Sequence, residues 1–368
     1  MQKFLSATST KKNGQAAADD LLQQLGDIPA EANVAFIYAN DAFSIELNSL
    51  LEELKSKTKI KNWVGSIGKG ICSNAREIYE QAAVTVMLAD LKEDSFSVFN
   101  GMENAPVTKK DSFALNYALV HGDPRNGLVN EHIKNLPGKI GNGYLIGGIT
   151  SSENHFFQVA NDLTEGDISG IVFNDETKII TGLSQGCTPF GETHTLTQCD
   201  HHIAITIDKR PALDVFKEEI GDVLARNIDR AAGYIFAAFP IKGSDTANYL
   251  VRDIIGIDTN NNHLAIADNM QTDSKIIFCK RDGQTAIEDM QRMLSDIKKR
   301  CETKKIKGAL YISCLGRGKN LFGDNSEELK MITDVLGDIP LAGFYANGEI
   351  AGDKLYGYTG VLTVFVED

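Results

Sequence analysis

No uninterrupted apolar run in this sequence approaches the ~20 residues a membrane-spanning helix needs, and the N-terminus, Met1 to Ala7, lacks the long apolar core of a secretory signal. Both absences point to a cytoplasmic protein with no membrane partner. Positive charge is also scarce: 37 Lys and Arg stand against 50 Asp and Glu, a formal net charge of -13. Such a surface repels phosphate backbones and anionic lipid, so no nucleic acid is expected as a partner. The most basic run, Lys298 to Arg300 with Lys304 and Lys305, ends a helix-like segment, where cations complement the helix C-terminus. The six cysteines, Cys72, Cys187, Cys199, Cys279, Cys301 and Cys314, are scattered and form no CxxC pair, which argues against a disulfide framework or structural zinc. No nucleotide loop is present either. Gly65-Ser66-Ile67-Gly68-Lys69-Gly70 lacks the Gly-Lys-Ser/Thr ending of a P-loop, and Gly316-Arg317-Gly318 does not open a dinucleotide fingerprint.

What is present is an ordinary globular composition, 42% hydrophobic and 24% charged, in a chain of 368 residues that exceeds one comfortable core. One element recurs: an apolar run ending in glycine. It stands at Trp63 to Ile71, at Tyr144 to Glu153 and at Pro340 to Ile350. Its surroundings recur as well. Val34 to Gly65 spans 31 positions and Leu310 to Gly343 spans 33, while Gly65 to Val84 spans 19 and Gly343 to Val361 spans 18. These matched spacings suggest duplication. A looser third copy runs from Phe113 to Val120, through a helix near Leu128 to Leu136, to Gly147-Gly148 and the strand Gly170 to Phe173. Strand, helix, strand is also the commonest order in α/β proteins, so the third copy alone does not require a repeat.

In chain order, Gly14 to Leu25 reads as an amphipathic helix and Asn33 to Tyr38 as a strand buried on both faces. Asp41 precedes a helix with Ile45, Leu47, Leu50, Leu51 and Leu54 on its apolar side. Thr181 to Gly191 is rich in turn-forming residues, and His201-His202 begins a strand. Thr285 to Cys301 is a helix with Ile287, Met290, Met293, Leu294 and Ile297 on one face. The fold class that follows is α/β, with mixed sheets built from repeated strand-helix-strand units in two tightly packed halves.

Ser184 to Gly191, Arg281-Asp282, Ser313-Cys314-Leu315-Gly316-Arg317-Gly318, Glu327-Glu328 and Gly343 to Ile350 together resemble the FIST domain. The resemblance runs from about Val34 to Phe365. It implies a helical lead-in at 1–32, a FIST N-terminal domain at 33–210 and a FIST C-terminal domain at 211–368. It also implies an intracellular sensory module for signal transduction that binds a small molecule, with amino acids the proposed class. Some bacterial members bind haem and respond to nitric oxide, which makes a haem sensor the alternative. The length leaves no room for a fused output domain, so the expectation is a stand-alone module with a separate signalling partner.

Polar residues at strand ends and glycine turns make the candidate ligand site: Gln185, Gly186, Cys187, Arg281, Asp282, Cys314, Arg317, Gly318, Asn347 and Glu349. A guanidinium at Arg281 or Arg317 can grip a carboxylate with two parallel donors, and Glu349 can accept from an ammonium group. The other reading pairs these charges internally, Arg281 with Asp282 and Arg317 with Glu327 or Glu349, to brace turns. Cys187 and Cys314 sit in glycine-containing loops, and an adjacent cation such as Arg317 would favour a reactive thiolate. A thiol-dependent hydrolase or transferase is thus a further alternative, although no histidine stands in an obvious nucleophile-base arrangement and no catalytic residue is assigned. No cofactor is expected on these grounds; haem would need one of His121, His132, His155, His194, His201, His202 or His263 as its axial ligand.

Overall fold

The structure is a computed structural model that describes residues 4–107, 116–226, 228, 233–241 and 248–367. The chain forms two compact units, one of residues 1–185 and 287–368, the other of residues 186–286.

The first passage of the chain is β1 (Leu5–Ser9), α1 (Gly14–Leu25), β2 (Val34–Asn40), α2 (Leu47–Thr58) and β3 (Asn62–Gly68). A hairpin of β4 (Ile71–Ser73) and β5 (Arg76–Ile78) follows, then β6 (Val84–Ala89). The second passage is β7 (Phe96–Asn100), β8 (Asn116–Gly122), α3 (Val129–Lys139) and β9 (Gly143–Ile149), then the hairpin β10 (Gln158–Ala160) and β11 (Asp162–Thr164), and β12 (Ile168–Phe173). β13 (Ile179–Gln185) opens a third passage, which the whole second unit interrupts. That unit holds β14 (Cys187–Asp200), β15 (Ile203–Ile207), β16 (Arg210–Pro211), α4 (Ala212–Ala225), β17 (Ile235–Pro240), β18 (Tyr249–Asp258), β19 (His263–Ile266) and β20 (Lys275–Arg281). The third passage resumes with α5 (Gly283–Arg300), β21 (Lys305–Cys314), α6 (Lys319–Phe322), α7 (Glu327–Leu336) and β22 (Leu341–Ala346). It closes with the hairpin β23 (Glu349–Gly352) and β24 (Lys354–Tyr356), and β25 (Thr359–Glu367).

The first unit is one pattern built three times. Its sheets run β1-β6-β2-β3-β10-β11, β7-β12-β8-β9-β23-β24 and β13-β25-β21-β22-β4-β5. Each centres on a parallel pair, β2 with β3, β8 with β9, or β21 with β22, joined through a helical crossover. Each passage also lends its hairpin to another sheet. β4–β5 joins the third sheet, β10–β11 the first and β23–β24 the second, so the three sheets exchange hairpins in a cycle.

The recurring glycines are required by this geometry. Gly65 faces Ile37, Gly147 faces Val120 and Gly343 faces Tyr311 across the three parallel pairs. A β-carbon at these positions would lie 1.7, 1.9 and 1.8 Å from the carbonyl oxygen of the facing residue, far inside contact distance. The backbones approach as closely as only glycine permits.

β2 is buried along its whole length because both of its faces are covered. Ala35, Ile37 and Ala39 pack with Ala17, Leu21, Leu50 and Leu54 of α1 and α2. Its alternate residues Phe36 and Tyr38 turn inward, where rings from all three sheets meet: Phe36 and Phe173 lie 5.8 and 5.7 Å from Phe365, and Tyr38 stacks on Phe344 at 5.2 Å. His121 belongs to this interior, with Nε2 3.2 Å from the Tyr38 hydroxyl, and burial lowers it to about 3, so it is a neutral core residue.

In the second unit β14 pairs with β20 through its first half and with β15 through its second, so the strands close on themselves. Leu213, Val215 and Phe216 of α4 enter this unit's core beside Ile266 and Phe278.

Several expectations change. Ile45 lies outside α2 and is 90% exposed, whereas Leu47, Leu50, Leu51 and Leu54 are buried. Thr181 to Gly191 is strand on both sides of Gly186, because Thr181, Gly182 and Thr188 sit in ladders with β25 and β20. His201 and His202 form the turn before β15, with His201 at φ 51°. β1, unmarked by any strong sequence pattern, pairs along β6. Phe113 to Leu115 of the looser copy lie outside the described residues, and the rest of that copy is the second passage. Among the described residues no helix is long and apolar enough to cross a membrane.

Candidate functional site

A pocket of about 500 Å³ opens in the first unit where the parallel strands end. Open α/β sheets place ligands at the carboxyl ends of their strands, and this pocket draws on all three passages there. Asn40 ends β2 and Asp41 and Ala42 follow it, Lys69 follows β3, Glu153 follows β9, and Leu315, Lys319 and Asn320 follow β21. Tyr79, Glu80, Gln81 and Ala82 complete the wall.

The wall is polar and carries both signs of charge. Lys69 Nζ lies 2.9 Å from Glu153, and Lys319 Nζ lies 2.5 Å from Glu80 and 5.1 Å from the centre of the Tyr79 ring. Both acids are held below the usual carboxylate range by the hydrogen bonds from these lysines. The ion pairs are substantially exposed, so they are weak and a ligand can exchange for them. Asp41 Oδ2 accepts the Glu153 backbone N–H at 3.3 Å, whereas its Oδ1 is buried with no hydrogen-bond partner. A buried acceptor without a donor costs free energy that an incoming donor recovers. Lysine ammonium groups and an unsatisfied carboxylate oxygen in one pocket suit a small molecule carrying both an anionic group and a donor.

The residues singled out from sequence lie elsewhere. Gln185, Cys314, Arg317, Gly318, Asn347 and Glu349 belong to the first unit, but none of them lines this pocket. Arg317 takes the internal role: it is fully buried, its Nε donates to Glu328 Oε1 at 2.7 Å, and Nη1 and Nη2 reach Ser184 O and Oγ at 3.4 and 3.2 Å. Its partner is therefore Glu328, not Glu327 or Glu349. Burial works against the guanidinium charge, but the Glu328 carboxylate outweighs it and raises the pKa. Glu328 further accepts from the Tyr311 hydroxyl at 2.6 Å, Ser313 Oγ at 3.1 Å and Gly318 N at 2.9 Å. Gly318 is needed at its φ of 51°, where a β-carbon would meet the Tyr79 hydroxyl at 2.2 Å.

Glu349 and Cys314 hold loops. Glu349, Gln158 and Ile71 occupy equivalent places, opposite Gly148, Ser66 and Phe344 at the start of the three exchanged hairpins. Glu349 Oε2 accepts from Thr359 N and Oγ1 at 3.1 and 2.8 Å, as Gln158 Nε2 donates to Asp167 O at 2.9 Å. Ile71 makes the corresponding position apolar. Burial pushes Glu349 up to about 8. Cys314 ends β21 where Asn40 ends β2, and each holds the loop leading into the neighbouring antiparallel strand: Asn40 accepts from Ala83 N at 3.1 Å, and the Cys314 thiol receives the Tyr358 N–H. Burial raises the Cys314 thiol well above its ordinary value, the reverse of activation. Gln185 N donates to Asp289 Oδ2 at 2.7 Å, and Asn347 is exposed, its N–H bonded to Ile149 O.

Gly186, Cys187, Arg281 and Asp282 belong to the second unit. Cys187 is buried, faces Arg281 across β14 and β20, and its carbonyl accepts the Tyr249 hydroxyl. The neighbouring Cys187 thiol, together with burial, raises Cys279. Asp282 Oδ1 accepts the Thr285 N–H at 2.9 Å and so caps α5, a bond that lowers its pKa. Gly186 is the break between β13 and β14.

A threefold α/β body with a ligand-sized pocket at its strand ends is the class of protein this geometry defines. Its family is established directly: the FIST N domain profile matches residues 33–210 and the FIST C domain profile residues 212–352, and the chain belongs to the FIST family. FIST domains are associated with sensory roles in signal transduction. The two profiles meet near residue 211, whereas the compact units divide at 185/186 and 286/287. The chain is 25% identical to the uncharacterized protein Rv0628c of Mycobacterium tuberculosis, over 96% of this chain and 95% of that one. It is 26% identical to the uncharacterized protein Mb0898c of Mycobacterium bovis over the full length of both. The solved structure of T. maritima PurL complexed with ATP is 10% identical, covering 99% of this chain and 71% of that one, with a TM-score of 0.24 that carries no argument.

Proposed function

We propose that this chain is a small-molecule-binding sensory module whose ligand, an amino acid or related small anion, occupies the pocket lined by Asp41, Lys69 and Lys319. The observation that carries this reading is the buried, unpartnered Oδ1 of Asp41 in a pocket that also holds two lysine ammonium groups. A ligand carboxylate would replace Glu153 or Glu80 as the partner of Lys69 or Lys319, and a ligand ammonium group would supply the donor that Asp41 Oδ1 lacks. A volume of about 500 Å³ lies within the range of ordinary ligand sites.

Signalling would follow from the pocket's construction. Its wall joins segments of all three passages, so a ligand that bridges Asp41 and Lys319 ties the end of β2 to the segment after β21. A separate partner protein reads the surface so stabilised, with a coupling of the usual ~1 to 3 kcal/mol. A thermal-shift screen over amino acids and small organic anions tests the reading, because a ligand of the native state raises the midpoint by mass action. A panel that leaves the midpoint unmoved contradicts it.

A further inference from the structure

The exchanged hairpin β4–β5 meets α6 and α7 at a half-buried carboxyl group, Glu77. The Glu77 N–H donates to Ser326 Oγ at 3.0 Å, and its carboxyl group receives the Lys319 backbone N–H and, at 3.5 Å, the Tyr79 hydroxyl. Its Oε1 and the Tyr345 hydroxyl are both buried, and the hydrogen bond Tyr345 offers acts to lower the Glu77 pKa.

Burial and the charge of Glu328 favour a proton on Glu77 and outweigh the donors Tyr345, Tyr79 and the Lys319 N–H, which favour its ionised form. Cys72 of β4, Tyr79 of its own hairpin, Tyr345 of β22 and Glu328 of α7 surround it, and none is a cation. Two cations lie close, but both are committed elsewhere. Arg317 is bonded to Glu328 and Ser184, and the Lys319 ammonium is directed to Glu80. An ionised Glu77 would be a second, half-buried negative charge beside Glu328 with no cation of its own, an arrangement its hydrogen-bond donors repay only in part.

We propose that Glu77 is a proton-operated latch: with its proton it holds the β4–β5 hairpin and the Tyr79 wall of the pocket against the α6–α7 segment, and on losing the proton it releases them. Burial, with the charge of Glu328 behind it, raises Glu77 from 4.5 to about 7, so the loss of closure runs between these values and is complete near neutral pH. Because the closed form binds the proton more tightly than an opened hairpin exposed to water, closure is favoured at low pH and weakens as pH rises. The latch needs no ligand, so it stands independently of what the pocket binds.

Backbone hydrogen exchange of Ile71 to Ile78 in the full chain, corrected for the intrinsic effect of pH, tests it between about pH 4 and pH 9. Protection of the hairpin should fall by up to about tenfold per pH unit between about pH 4.5 and pH 7 and be constant above that. Glu77→Gln, which mimics the protonated group, should abolish the fall, and Glu349→Gln should leave it in place. Hairpin protection that does not change with pH in the wild type, a fall that survives in Glu77→Gln, or one that vanishes in Glu349→Gln overturns the proposal. Should Glu77→Gln fail to fold, the Glu77 carboxyl carbon shift in labelled wild-type protein decides: a midpoint near 7 supports the latch and one below about 5 contradicts it.

Discussion

Arg317 Nε stands 2.7 Å from Glu328 Oε1, and neither side chain is exposed. This pair fastens the start of α7 to the loop after β21, with Ser184 of β13 accepting from Nη1 and Nη2. Removing one partner leaves the other charged and buried. Arg317→Ala should therefore destabilise the protein by about 3 to 5 kcal/mol, read as the change in urea midpoint at constant slope. A variant as stable as wild type would contradict the structural role.

Gly343, Gly147 and Gly65 should behave alike, since each touches the carbonyl of the facing strand. Alanine at any one forces the parallel pair apart, and the expected cost is at least the ~1 to 3 kcal/mol of an overpacked core. Thermal denaturation of the three single variants checks the equivalence. Alanine at Gly26, where no atom lies within 4 Å of an added β-carbon, is strained only by its φ of 63° and is a milder control.

The pH dependence has a definite sign. Glu349 rises from 4.5 to about 8 and Glu77 from 4.5 to about 7, both mainly through burial. A carboxyl group with a raised folded pKa stabilises the fold fully below its unfolded value, and that contribution is lost as pH climbs to the folded value. Each pKa unit corresponds to about 1.4 kcal/mol for a buried group. These two groups should make stability decline between about pH 4.5 and pH 8, and Glu349→Gln should flatten the upper part of that decline. Urea denaturation at a series of pH values checks it.

Asp282 serves as the cap of α5, so Asp282→Ala should cost about 0.5 to 2 kcal/mol, measured by thermal unfolding, without altering any ligand-induced shift.

The repeat was legible because close approach between parallel strands admits only glycine, and Gly65, Gly147 and Gly343 therefore mark it in the sequence. The buried run Val34 to Tyr38 and the helix Gly14 to Leu25 were legible through periodicity. The cyclic hairpin exchange was not, because short strands such as Ile71–Ser73 carry no signal for which sheet they join. Glu349 and Ile71 stand at equivalent places in their hairpins, and the difference between them marks a loop contact to Thr359. Arg317 drew attention as a cation in a glycine loop; only the fold brings Glu328 to it. The pocket residues Asp41, Lys69 and Lys319 were overlooked because each is an ordinary charged residue, made notable only by three strand ends converging. The usable hint was position: Asp41 directly follows the buried strand β2, and Lys69 lies inside the first glycine element.

The pocket itself is tested most directly by the ligand-induced change in melting temperature of wild type, Asp41→Asn and Lys319→Ala, measured side by side over the same panel of amino acids and small anions. The account predicts that at least one compound raises the wild-type midpoint and that the rise is lost in both variants while their unliganded midpoints stay close to wild type. No shift with any compound, or a shift of equal size in all three proteins, would contradict it.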